Sequence, residues 1–345
     1  MLCFPLASRS FSLPVASNGG IPILRADTSP SGAVTRGPPL RHGLSCTVMA
    51  DAPLERMRQL ARLYDSDDCR RAVNSTWHRF QWHEMAMTWT PQAQETAVLT
   101  ASGTQWMYVR AQKAGSFMLL QLLLRASQQK NINGPLLQLC DPGPCGGERG
   151  GETPRFTWTA VRDPWPRALS AYAEVVHRGQ LNFPGVEPPA PAFANVTAIS
   201  CDTELSATRR YSLFLELLRS GRLVYREIFH SWPVALLIDT LSPTDARRFD
   251  AIARIESIER DLPALLNLTG IEVTAALGFE GSRLREHQHS NAAEPCIARV
   301  SRVNPSVLRP FCELYHVDYA CFNYTAPPAC RTLVPHLAWY KVGTE

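Results

Sequence analysis

Charge is the first thing in short supply. Asp, Glu, Lys and Arg make up 19% of the 345 residues, and 35 basic against 31 acidic side chains leave a net charge of only +4. So small an excess gives no case for a nucleic-acid binder, although local basic sites for small anions remain open. The chain lacks any run long enough to span a bilayer and any fixed-period repeat, so it shows neither a transmembrane segment nor a solenoid. Acidic residues are absent before Asp27, and the first fifty residues are rich in Ser, Pro, Gly and Arg. Residues 1–50 therefore read as a disordered targeting or stem-like segment, and MLCFPLA is too short for a signal-peptide core.

Hydrophobic residues are plentiful at 45%, enough for a substantial core, and the expected organisation is one domain over 51–330 followed by a tail over 331–345. Ten cysteines run from Cys3 to Cys330, and four N-x-[ST] sequons lie at Asn74, Asn195, Asn267 and Asn323. Together they favour an oxidising, secretory compartment. Cys140 and Cys145 enclose a tight Asp-Pro-Gly-Pro turn suited to a local disulfide; Cys312, Cys321 and Cys330 are further bridge candidates with no pairing legible. No second ligand pair accompanies Cys140 and Cys145, so no metal is expected.

Along the chain, Asp51 is placed to cap a helix through Arg62, and Thr90-Pro91 to open another. Strands are expected at Trp106–Arg110, Arg155–Val161 and Phe249–Ile255. Helices are expected from Ser116 to Gln129, from Asp163-Pro164 to His177, from a Ser206 cap through Arg219 with Gly221 as its stop, from Ser257 to Leu268 closed by Gly270, and from Asn304-Pro305 toward Tyr315. The stretch from Gly134 to Pro154 reads as loop. This alternation predicts an α/β domain with a mostly parallel central sheet flanked by helices, its ligands at the carboxyl ends of the strands.

Two turns at such strand ends carry the chemistry. In the first, Lys113, Ala114, Gly115 and Ser116 precede the helix that continues through Phe117. Unpaired amides at a helix start favour an anion, and Gly115 lets backbone approach it. The nucleotide triphosphatase loop GxxxxGK[ST] is not matched, because its first glycine is missing and the lysine precedes the glycine. In the second, Arg162 ends a strand, Asp163 and Pro164 open a helix, and Arg167 and Ser170 fall one turn apart on it. A guanidinium and a hydroxyl so placed suit a phosphate; read structurally, Arg162 pairs with Asp163 or Glu174 instead.

The run R-D-P-x-x-R-x-x-S-x-Y after an apolar strand, with a K-x-G-S turn before it, resembles the PAPS-dependent sulfotransferases, most closely the Golgi carbohydrate sulfotransferases. FHSWP at Phe229–Pro233, FDAIARIESIERDLPALLNLTGI at Phe249–Ile271 and LYHVDYACFNY at Leu314–Tyr324 are similar to further segments of that family, in the same order. The sequence departs from the pattern at Gln112, where proline is usual, at Phe117, where a second hydroxyl is usual, and at Asn323, where glycine is usual. The resemblance implies a P-loop-like three-layer fold and transfer of a sulfuryl group from 3′-phosphoadenosine 5′-phosphosulfate (PAPS) to a glycan hydroxyl. It implies that Lys113, Ala114, Gly115, Ser116 and Phe117 hold the 5′ end of the donor, and that Arg162 and Ser170 hold its 3′-phosphate. Lys113 is expected to neutralise the leaving oxygens and His230 to take the acceptor's proton, with His177 as the alternative; Glu256 is placed either to orient an acceptor or a base or to serve as a structural carboxylate, and His287 and His289 lie in a polar loop.

A Golgi lumen is the expected location, with a membrane anchor absent from the sequence in hand; an organellar transit segment is the alternative. Two other functions stay open: a non-catalytic glycan-binding or scaffold module on the same fold, and an ATP-dependent phosphotransferase.

Overall fold

A computed structural model of the chain describes residues 47–80, 96–101, 104–127, 137–140, 156–180, 191–223, 226–240, 249–268 and 295–337. All of them belong to the unit Cys46–Glu345, while a separate unit, Met1–Ser45, lies outside the described residues.

Segments rich in β-branched and aromatic residues form one sheet. Its strands are β1 Thr96–Ala101, β2 Thr104–Val109, β3 Leu137–Cys140, β4 Phe156–Val161 and β5 Ala251–Arg254. Their order is β3-β1-β2-β4-β5. β1 pairs antiparallel with both its neighbours, whereas β2 with β4 and β4 with β5 pair parallel. Among the described strands β1 alone therefore runs against the rest, so the sheet is mostly parallel. Every β4 residue is buried, as a central strand covered on both faces requires. In register, Val109 faces Thr159 and Val161 faces Arg254, so the carboxyl ends of β2, β4 and β5 open along one edge.

The helices that follow these strands are α3 Ser116–Ser127 after β2, α4 Pro164–Gln180 after β4, and α8 Ile258–Leu268 after β5 and a short 3₁₀ turn, Ile255–Ser257. Ahead of the sheet come α1 Thr47–Tyr64 and α2 Asp67–Phe80; between β4 and β5 come α5 Pro191–Thr197, α6 Glu204–Arg219, a 3₁₀ turn Arg226–Ser231 and α7 Val234–Thr240. α9 Pro295–Arg299, α10 Pro305–Phe322 and α11 Pro328–Leu333 close the described chain. The expected apolar faces are inside: Leu54, Met57, Leu60 and Ala61 on α1, Tyr211, Phe214, Leu217 and Leu218 on α6, and Ile258, Leu262, Leu265 and Leu266 on α8 are all buried. Trp165, Tyr172, Tyr211, Phe214 and Phe311 pack edge to face, joining α4, α6 and α10.

Several boundaries differ from the sequence reading. α1 starts at Thr47, so Asp51 lies inside it rather than capping it. Thr203, not Ser206, caps α6: its hydroxyl accepts from the Ser206 N–H while the Ser206 hydroxyl accepts from the Thr203 N–H. Either hydroxyl suits a cap, and the helix formers Glu204 and Leu205 between them carry the helix three positions back. Gly221 stops α6 as expected, with φ of 67° and the Arg222 N–H reaching back to the Leu217 carbonyl. β3 forms inside the supposed loop, because Leu137–Cys140 completes its ladder with β1, a partner far away in sequence. α10 runs on past Tyr315 to Phe322, and α2, β1 and α11 were not anticipated. The Thr90-Pro91 helix start and Gly270 lie outside the described residues.

Disulfides staple this helical layer. Cys69 joins Cys321 between α2 and α10, Cys201 joins Cys296 ahead of α6 and in α9, and Cys312 joins Cys330 between α10 and α11. The proposed Cys140–Cys145 bridge lies outside the described residues, since Cys145 is not among them.

Candidate active site

Each of the three aligned strand ends runs into a turn. After β2 the chain folds sharply, with the Ala114 N–H donating to the Ala111 carbonyl at 3.3 Å. Lys113 and Gly115 both take left-handed backbone, with φ of 61° and 67°. For lysine that conformation costs about 1–2 kcal/mol, and such strain persists only where the surroundings enforce it. The surroundings here are the third turn: a Cβ on Gly115 would lie 2.6 Å from Ile255 Cδ1. Only glycine satisfies both the φ and the contact. α3 then begins at Ser116, with the Leu119 N–H bonded to the Gly115 carbonyl at 3.0 Å.

The second turn is built by capping. The Asp163 carboxylate accepts from the Trp165 N–H at 2.9 Å, with Pro164 at the first helical position. Glu256, at the third turn, accepts from the Asp163 N–H at 2.8 Å and from the Tyr324 hydroxyl at 3.0 Å. Its two oxygens are thus used structurally, bracing α4 against the chain end of α10. Burial pushes the Asp163 carboxyl above its usual range, opposed by the Trp165 N–H.

Arg162 stands at the mouth of this turn, half-buried. Burial lowers its pKa, while Glu256, Asp163 and Tyr324 favour the charged form. Its guanidinium makes no hydrogen bond or ion pair with the described residues, and neither do the hydroxyls of Ser116 and Ser170. The carboxylate Glu174, open at sequence level as a partner of Arg162, instead meets Lys113: Oε2 lies 2.9 Å from Nζ, with the side chains only 17% and 13% exposed. Water screens such a pair weakly.

Arg167 ties the two turns together. It is fully buried, its Nε donates to the Gln112 carbonyl at 3.1 Å and its Nη2 to the His230 carbonyl at 3.3 Å. The sequence placed Arg167 on one face with Ser170, but only Ser170 stays half-buried near the mouth. Because Arg167 uses a backbone carbonyl, Gln112 serves where the resemblance led us to expect proline. His230 is buried with its ring stacked on Phe229 at 4.3 Å, within the 3₁₀ turn Arg226–Ser231. Beneath it the Tyr315 hydroxyl donates to the Ser231 carbonyl at 2.6 Å.

The closing segment explains Asn323. It ends α10 in left-handed backbone with φ of 51°, a conformation that glycine adopts freely and asparagine tolerates. Arg254, from the end of β5, donates to the Phe322 and Asn323 carbonyls and lies 4.5 Å over the Tyr324 ring. Cation and ring together hold Tyr324 toward Glu256.

Lys113, Ala114, Gly115, Ser116, Arg162, Ser170 and the backbone of His230 are thus linked through neighbouring turns at one sheet edge. The side chains of Phe117 and His177, with His287 and His289, lie outside the described residues. Sequence reasoning missed Arg167 as the tie, Arg254 as the brace and Glu174 as the partner of Lys113. Only the last had a usable signal, since Glu174 follows Ser170 by four residues on α4 and so shares its face. Among the described residues no helix is long and apolar enough to cross a membrane, and no group of three or more His, Cys, Asp or Glu is placed to hold a metal ion.

A family model described as the sulfotransferase family matches residues 150–325. That span holds Arg162, Ser170, Glu174, His230, Glu256 and Tyr324; the Lys113 turn lies ahead of it. No curated protein and no solved structure matches the chain.

Proposed function

The chain belongs to the sulfotransferase family, and on that premise we propose that it takes a sulfuryl group from PAPS and passes it to a glycan hydroxyl. Membership makes it an enzyme that transfers a sulfuryl group to a hydroxyl-bearing acceptor; the donor and the carbohydrate class are the proposal. The observation that carries it is Arg162: a half-buried guanidinium at a strand end, with no ion pair or hydrogen bond to the described residues and a Ser170 hydroxyl on the helix beside it. A fork of donors that no ion pair or hydrogen bond occupies suits an incoming phosphate.

In this reading Arg162 and Ser170 grip the 3′-phosphate. Ser116 and the amides of Gly115, Ser116 and Phe117 at the start of α3 receive the 5′-phosphate. Lys113 supplies positive charge to the oxygen that leaves sulfur, its backbone held in left-handed φ next to the close approach of Gly115 to Ile255. The donor supplies an activated sulfuryl group; the chain supplies positioning and charge, as in phosphoryl transfer. The His230 ring, buried against Phe229, is poorly presented to an arriving acceptor.

The three disulfides among the described residues and the exposure of Asn74, Asn195, Asn267 and Asn323 support a secretory compartment, with the Golgi lumen as the proposed site of action. A mobility shift on removal of N-glycans from protein expressed through that pathway checks this; no shift contradicts it.

Thermal-shift measurement tests the donor assignment. Stabilisation by adenosine 3′,5′-bisphosphate and not by ATP with magnesium is expected. Stabilisation by ATP alone would favour a phosphotransferase, and none by either would favour a non-catalytic glycan-binding module. Turnover of labelled PAPS across a panel of p-nitrophenyl glycosides then reads the acceptor class.

A further inference from the structure

Glu174 has no part in gripping the donor, because a carboxylate repels a phosphate. It nonetheless lies on α4 one helical turn beyond Ser170, and its Oε2 is 2.9 Å from Lys113 Nζ. Lys113 is the group assigned to the leaving oxygen, so the Glu174 carboxylate borders the place where the sulfuryl group changes hands. Neighbouring acids are committed elsewhere. Glu256 accepts from the Asp163 N–H and the Tyr324 hydroxyl, Asp163 caps α4, and Asp318 is buried, accepting from the Val234 and Ala235 N–H groups.

We propose that Glu174 is the general base of the transfer, a role that rests on the donor reading of the same site. As the acceptor oxygen bonds to sulfur, its O–H bond breaks and the proton passes to the Glu174 carboxylate. The bond from sulfur to the bridging oxygen breaks, and its electron pair stays on the 5′-phosphate. Lys113, turning from Glu174 to that oxygen, neutralises the charge formed there and leaves the carboxylate ready for the proton. The step needs no further reactant. A base held against the lysine that serves the leaving group also couples the two halves of the reaction, because drawing the lysine to the donor removes its charge from beside the carboxylate.

The test compares donor binding with turnover. Calorimetry with adenosine 3′,5′-bisphosphate gives affinity, and labelled PAPS with the p-nitrophenyl glycosides gives kcat at saturating donor. Glu174→Gln is expected to lower kcat by about 10²–10⁴-fold, the usual worth of a general base, with bisphosphate affinity unchanged or tighter. Glu174→Ala is expected to regain activity when formate supplies a carboxylate; comparing the same variant with and without formate removes any folding defect from the reading. Wild-type kcat in Glu174→Gln, or a loss confined to affinity and KM with no response to formate, overturns the proposal and leaves Glu174 a counter-ion. Wild-type protein that fails to bind the bisphosphate refutes the donor reading itself.

Discussion

The two turns proposed to hold the donor reach similar positions by different means. The Lys113 turn invests in backbone: departures into left-handed φ at both Lys113 and Gly115, and a glycine pressed on Ile255. The Arg162 turn keeps ordinary backbone and invests in side chains, with Asp163 capping α4 and Glu256 bracing Asp163 from the next strand. The first is therefore sensitive to any added atom, whereas the second tolerates change as long as hydrogen bonds survive. Arg167 makes them one device, since a guanidinium on the helix of the second turn holds a carbonyl of the first.

Gly115→Val strikes the first turn hardest. Left-handed φ in a β-branched residue and the clash with Ile255 should together cost about 2–5 kcal/mol in urea unfolding. The pair Gly115→Ala and Gly115→Ala/Ile255→Val separates the terms, since the second change relieves the contact and not the φ. Equal stability of Gly115→Val and wild type would erase the contrast between the turns. Arg167→Met should cost on the order of 2–3 kcal/mol, by taking a charged donor from two buried carbonyls. It should also weaken bisphosphate binding although Arg167 is not assigned to the donor; unchanged binding would mean the turns are independent.

A pH dependence sharpens the role of the layer beneath Arg167. Burial pushes Asp318 up from 3.8 to about 6, against the favourable Arg167 charge and the Ala235 and Val234 N–H groups. Its contribution to stability is complete below pH 3.8 and is lost as pH rises through 6. Burial pulls His316 down from 6.5 to about 4, helped by Arg79 and His336 and opposed by its bond to the Glu313 carbonyl. That contribution is complete above pH 6.5 and is lost as pH falls through 4. Between pH 4 and 6 the two slopes oppose each other. Asp318→Asn removes one, so its unfolding free energy should rise more steeply than that of wild type over this window, by on the order of 2 kcal/mol. Parallel profiles would contradict the assignment. The smallest effect belongs to the second turn: Asp163→Ala loses a helix cap at about 1 kcal/mol, read from the same denaturation curves.

The second turn was the more legible in sequence for the same reason that it is the more tolerant. Arg162, Asp163, Pro164 and Ser170 act through side chains at fixed spacing, and side chains are what a sequence displays. The first turn acts through φ angles and a contact with Ile255, 140 positions away by residue number, so only the lysine and glycine hinted at it. The same division runs through the fold. Apolar periodicity marked the buried faces of α1, α6 and α8, and local caps marked α4 and α10. β3 is held by pairing with β1, α11 by a disulfide to α10, and the Arg167 tie by two carbonyls distant in the chain; none leaves a local pattern. Asn323 looked like a departure until its left-handed φ showed it doing what glycine does.

Whether the paired turns bind the donor is tested most directly by calorimetric titration of adenosine 3′,5′-bisphosphate into wild-type and Arg162→Ala protein. Loss of charge-assisted hydrogen bonds worth about 1.5–3 kcal/mol predicts affinity weaker by about 10–150-fold in the variant. Equal affinity in the two proteins would contradict the account.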